Sequence, residues 1–188
     1  MLNTRPAGGQ PLLCKGPAAL IAAGASRYRL CAALCVALLL LSACSTQPLP
    51  RQTPTLALPM QLHVQRQQAD QRQDWLLVIQ QEDGGLRWSL MDPLGIPLAR
   101  QLLTHNRWHA DGLLPPNPEA RELFAALLFA LTPAHELKRN YPQAKSVSNV
   151  RVISQRWQIQ YDQPQVFRID TQGDVYYDIS PLNAEAAQ

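Results

Sequence analysis

Residues 118–131, PEARELFAALLFAL, carry almost no polar side chain after Glu122. Leu123, Phe124, Leu127, Leu128 and Leu131 make a wide apolar stripe, and Ala125, Ala126, Phe129 and Ala130 fill most of the remaining circumference. A helix that is apolar all round must be covered on most sides, so the rest of the chain has to surround it. Its start is explicit. Asn117 is the expected N-cap, Pro118 takes the first helical position and Glu119 falls in the first turn. Thr132-Pro133 reads as a second start, with a short helix through Lys138.

Both flanks of this helix read as strands. Leu56, Leu58, Met60, Leu62 and Val64 alternate with polar residues, the period of a half-buried strand, and Pro59 places that strand at an edge or a start. Trp75 to Ile79 are apolar at consecutive positions, so that strand is either covered on both faces or lines an apolar cavity. Residues 86–103, LRWSLMDPLGIPLARQLL, read as a hairpin turning at Asp92-Pro93-Leu94-Gly95. Its first arm puts Leu86, Trp88 and Leu90 on one side. The second arm aligns Leu98, Arg100 and Leu102, so either Arg100 interrupts an inward face or the register shifts nearby. A short strand is expected at 106–110, and later strands at 147–154, 156–161, 166–170 and 175–179, the last two joined at Gly173-Asp174. Strands, one main helix, then strands favours an α+β fold: an antiparallel, unclosed half-barrel around one main helix plus a short second one.

The amino terminus carries a second message. Arg27-Tyr28-Arg29 precede an apolar run at 30–41, followed by Leu41-Ser42-Ala43-Cys44, the layout of a secretory signal. Twelve residues are too few to span about 30 Å of hydrocarbon as a helix. LSAC resembles the bacterial lipobox, which implies removal of residues 1–43, lipidation of Cys44 and a mature chain starting there; the bland alternative is an ordinary cleavage site. Ser45 after the cysteine implies sorting to the periplasmic face of the outer membrane. Residues 44–55, with Pro48, Pro50 and Pro54, read as a flexible tether, residues 56–182 as the domain and 183–188 as a tail. Cys14, Cys31 and Cys35 fall in the leader, so no disulfide is available within one mature copy. The leader also holds four of the 17 basic residues, leaving 13 against 14 acidic ones. A mature chain near neutrality gives no reason to expect nucleic-acid binding.

Little in the chain points to catalysis. There is no Gly-x-Ser-x-Gly elbow, no phosphate-binding glycine loop and no free cysteine once Cys44 is lipidated. His105 and His109 lie around Trp108 in an expected strand without a third ligand, and His63 and His135 are isolated, so no metal or cofactor is expected. The anomaly is Leu94. A turn tip faces water, so its leucine either folds back onto the sheet or meets something apolar outside the protein.

Arg87 to Leu98, RWSLMDPLGIPL, is similar to the strand and Asn-Pro-Leu-Gly turn of the LolA/LolB-type lipoprotein carriers, with Asp92 in place of Asn. That resemblance implies an unclosed barrel with a helical lid over an apolar cavity, and gives Leu94 the role of the leucine that projects from the barrel mouth into the membrane. Residues 122–133, ELFAALLFALTP, with Arg139 and Ile159-Gln160-Tyr161, resemble a family of uncharacterised bacterial lipoproteins encoded beside aryl-polyene and fatty-acid-type biosynthesis genes, which implies a lipid-like cargo. The expected cavity lining is Leu62, Leu77, Trp88, Leu90, Leu98, Phe124, Leu127, Leu128, Trp157 and Ile159. The expected partners are membrane lipid through Cys44, a lipid-like cargo and a periplasmic carrier or exporter, with the protein itself a monomer. The leading expectation is therefore a non-enzymatic carrier, the alternative a scaffold lipoprotein without a cavity; an acyl-processing enzyme lacks a nameable nucleophile.

Overall fold

Ten strands form one antiparallel sheet whose two halves are each a simple meander. The computed structural model describes residues 47–82 and 84–182; the leader, Cys44, Asp83 and the tail from 183 lie outside them. The first half is β1 (Met60–Gln68), β2 (Gln71–Glu82), β3 (Gly85–Met91), β4 (Pro97–Thr104) and β5 (Arg107–Ala110). Two helices follow, α1 (Pro118–Leu131) and α2 (Ala134–Asn140). The second half is β6 (Lys145–Val147), β7 (Val150–Ile153), β8 (Trp157–Gln163), β9 (Val166–Thr171) and β10 (Val175–Pro181). The spatial order is β5-β4-β3-β2-β1-β10-β9-β8-β7-β6. The halves join where β1 pairs β10, and β5 and β6 are left as edges, so the sheet does not close into a barrel.

Helix α1 starts where the sequence places it: the Asn117 side chain accepts from the Ala120 N–H at 2.9 Å. Residues 123–129 of α1 are fully buried. At 3.6 residues per turn a run of that length points in every direction, so α1 is covered all round. Alternation in the strands supplies the surround. Met60, Leu62 and Val64 on β1, Trp88 and Leu90 on β3, Trp157 and Ile159 on β8, and Phe167 and Ile169 on β9 share one core with α1.

Several local expectations change. The strand expected from Leu56 begins at Met60, although Leu56 and Leu58 still pack on the core. On β2, Leu77 and Ile79 are buried while Leu76 and Val78 on the other face are only half-buried, so that strand is not enclosed on both sides. The single strand expected at 147–154 is two, β6 and β7, because Ser148 (φ 52°) turns the chain back on itself. The Arg100 alternative resolves in favour of a register shift. An irregularity at Leu90/Met91 turns Ala99, Gln101 and Leu103 inward and leaves Arg100 outside, paired with Asp111 at 3.3 Å.

The expected tether is also different from Gln47 onward. Its backbone and side chains are fastened to the domain: Gln47 Nε2 donates to Glu122 at 2.7 Å, Arg51 N to Asn140 O at 3.1 Å, Gln52 N to Asn140 Oδ1 at 3.2 Å and Thr55 N to Glu136 at 3.3 Å. Asn106, in the β4–β5 turn, donates to Arg51 O at 2.7 Å. Pro50 and Pro54 are buried and Leu49 packs on the core. Proline here stiffens a strap laid across the helices instead of keeping a linker clear of them.

Candidate functional site

The β3–β4 turn is held by a single carboxylate. Asp92 Oδ1 accepts from Leu94 N at 2.9 Å and Ile96 N at 2.8 Å. The Asp92 carbonyl accepts from Gly95 N at 3.0 Å, and Asp92 N donates to Ile96 O at 3.0 Å. Gly95 sits at φ 82°, a left-handed conformation that glycine adopts without a Cβ penalty. The result is a short, internally bonded loop that displays aliphatic side chains. Leu94 is 85% exposed and Ile96 56%. Leu94 does not fold back onto its sheet.

Strand register fixes what else lies at this end. The β1–β2, β7–β8 and β9–β10 turns and the start of α1 share it, because Gln68 pairs Gln71 and Val175, Trp157 pairs Thr171, and Asn117 Nδ2 reaches Leu98 O at 3.4 Å. The loop carrying Leu113 leaves β5 at the level of Arg100, where Asp111 N bonds Arg100 O at 3.3 Å, and returns at Leu98. Leu113 is fully exposed. It therefore joins Leu94 and Ile96 on the same half of the domain, while exposed Val147 stands between Ser146 and Ser148, which line a cleft at the far end of α1. Sequence reasoning passed over Leu113, although a leucine between Gly112 and Pro115 is an available signal of the same kind as Leu94.

Beneath the tip is a recess of about 210 Å³, walled by Trp75, Leu90 and Leu98 and rimmed by Gln73, Asn117 and Glu119. Glu119 pairs with the nearly buried Arg66 and accepts from Tyr177 Oη at 2.9 Å; Arg66 also donates to Gln68 at 2.6 Å. Burial pulls the Arg66 pKa down, but the bonds and charge of Glu119 outweigh it and the guanidinium stays firmly charged. Burial, then the neighbouring Glu119 charge, pushes the Tyr177 phenol well above its ordinary range. Apolar walls with a permanently polar rim suit one end of an amphipathic molecule.

The other expected lining residues are not in an open hollow. Leu62, Leu77, Trp88, Phe124, Leu127, Leu128, Trp157 and Ile159 are core residues at most 1% exposed, with α1 occupying the trough. Leu90 and Leu98 do reach the recess. Trp88, Trp108 and Phe124 form an aromatic cluster with ring centroids 5.5 to 5.9 Å apart, a packing contact. At the far end of α1 lies a cleft of about 560 Å³ that sequence reasoning did not find. There Arg151 Nη1 donates to the Ala130 and Thr132 carbonyls at 3.2 and 2.7 Å and lies over the Tyr161 ring, whose hydroxyl donates to Ala130 O at 2.7 Å. Burial pushes the Tyr161 phenol up to about 12 against the pull of Arg151.

His105 sits in the β4–β5 turn at φ 49°, not in a strand, and His63 bonds Asp74 at 2.9 Å. Among the described residues no group of three His, Cys, Asp or Glu is placed to hold a metal, and no helix is long and apolar enough to cross a membrane. No protein-family model matches the chain, and no curated protein matches it.

Proposed function

We propose that the protein is a non-enzymatic lipoprotein of the outer membrane, anchored through Cys44, that takes up an amphipathic lipid-like molecule and delivers it to the membrane. The observation that carries this reading is the tip, a leucine 85% exposed on a loop whose N–H groups are bonded internally. Folding forgoes roughly 1.5 to 3 kcal/mol by leaving such a side chain in water, and contact with a bilayer recovers it. As an anchor that is superfluous beside lipid chains contributing about 0.8 kcal/mol per buried CH₂. The work left for Leu94 is local: bringing the Trp75–Leu90–Leu98 recess against the bilayer so that an acyl or polyene chain passes without crossing water. Because α1 fills the trough, cargo larger than the recess enters only as α1 moves aside, the part a helical lid plays in the LolA/LolB-type carriers the sequence resembles.

Leu94→Glu tests the tip. The variant folds and localises, retains cargo and loses delivery to acceptor membranes; undiminished delivery ends this reading. Native mass spectrometry of the detergent-free domain is expected to find an acyl or polyene ligand.

The packed interior favours a second reading, a scaffold lipoprotein that binds a biosynthetic enzyme or exporter, with the short exposed edge strands β5 and β6 as available surfaces. A domain that purifies empty and captures such a partner supports it.

A further inference from the structure

We infer that residues 47–59 form a docking strap that dictates which end of the domain meets the phospholipid bilayer. The inference rests on lipidation of Cys44 as proposed above. The strap begins at the tip end, where Gln47 bonds Glu122 at 2.7 Å. Glu122 is fixed there by Arg156 at 2.7 Å and by Trp157 Nε1 at 2.7 Å, residues of the β7–β8 turn and the start of β8. From Gln47 the strap runs the length of the domain to Asn140, Asn106 and Glu136 and enters β1 at the far end. Its direction is thus opposite to that of β1. An anchor at Cys44 pulls on the tip end.

Chain length does the rest. Two residues, Ser45 and Thr46, separate Cys44 from Gln47, and the three residue steps reach about 11 Å when fully extended. A lipidated Cys44 therefore holds Gln47 within about that distance of the lipid, and Gln47 is fastened to the half of the domain that bears the exposed Leu94, Ile96 and Leu113. A flexible tether through Thr55 would leave the domain free to tumble. The strap removes that freedom and gives the exposed leucines a bilayer as their standing neighbour. Neither Leu113 nor Gln47 figures in the carrier reading, and each now has a role: Leu113 as a second contact, Gln47 as the point of attachment.

The test uses full-length protein, lipidated on Cys44 as verified by mass, in phosphatidylethanolamine–phosphatidylglycerol vesicles. With Cys44 blocked by lipid, Leu113→Cys or Val147→Cys carries the only free thiol in the mature chain. An environment-sensitive fluorophore at 113 is expected to report bilayer contact, and one at 147 is expected to report water. A Gly-Ser insertion of about twelve residues between Thr46 and Gln47 leaves the strap intact and lengthens the leash roughly fivefold, so the contact at 113 falls by roughly tenfold on the −3/2 power law. Equal signals at 113 and 147, a signal at 113 indifferent to the insertion, or an unlipidated Cys44 overturns the inference. Cargo binding reads separately: a domain that carries no lipid-like molecule but shows the 113/147 asymmetry sinks the carrier reading and keeps the strap.

Discussion

Asp92 decides how far Leu94 stands out. Its one carboxylate oxygen satisfies two loop N–H groups that would otherwise depend on water, the local bonding that makes Asp and Asn turn formers. Asn accepts the same bonds through its amide oxygen. Asp92→Asn is therefore expected to leave the tip unchanged. Asp92→Ala removes both bonds, at about 1 kcal/mol in an exposed loop, and the Leu94 and Ile96 amides should exchange faster by hydrogen-exchange NMR. Unaltered exchange in the alanine variant would mean that the backbone bonds between Asp92, Gly95 and Ile96 suffice.

The β3–β4 hairpin depends on close approach at its other end. A Cβ on Gly85 would lie 2.5 Å from Thr104 Cγ2 and 2.7 Å from the Leu103 carbonyl oxygen, and the carbonyl belongs to a paired strand that cannot give way. Gly85→Ala is expected to destabilise the domain by about 1 to 3 kcal/mol, measured by urea unfolding; an unshifted midpoint would show that the arms have slack. Local chemistry of this sort was legible in the sequence. Asn117-Pro118 announced α1 because the cap bond spans three residues, and Asp92 announced the turn because its bonds span two and four. The inward set on β4 was not decidable, since the irregularity at Leu90/Met91 comes from how two strands meet. The strap reads as a tether for the same reason. Its prolines and glutamines look like linker composition, and its partners Glu122, Glu136 and Asn140 lie 75 to 88 residues away. The interior is filled by α1, which the sequence does not reveal because apolar alternation marks which residues face inward without saying whether a helix already occupies the space.

The strap and the domain form one proton-linked unit. Hydrogen bonding from the Thr55 side chain, and secondarily from its backbone N–H, holds the Glu136 carboxyl below the ordinary range against the cost of desolvation, with Arg139 and His135 adding to it. For Glu122 burial pushes the pKa up, but the bonds from Arg156, Trp157 and Gln47 outweigh it and the result is again a depressed value. A depressed pKa in the docked state means that the undocked state binds more protons at acid pH. The stabilisation is therefore complete above the undocked carboxyl pKa, about 4.3, and is lost as pH falls through the docked values beneath it. Hydrogen exchange along a pH series should show the Gln52 and Thr55 amides losing protection below about 4.3, while amides of residues 123–129 in α1 stay protected. Glu136→Gln keeps an oxygen that accepts from Thr55 N, so Thr55 should stay protected at neutral pH and its acid step should disappear. If the strap and α1 instead lose protection together at every pH, the strap is no separable element. Acid would then release the strap only by unfolding the entire domain.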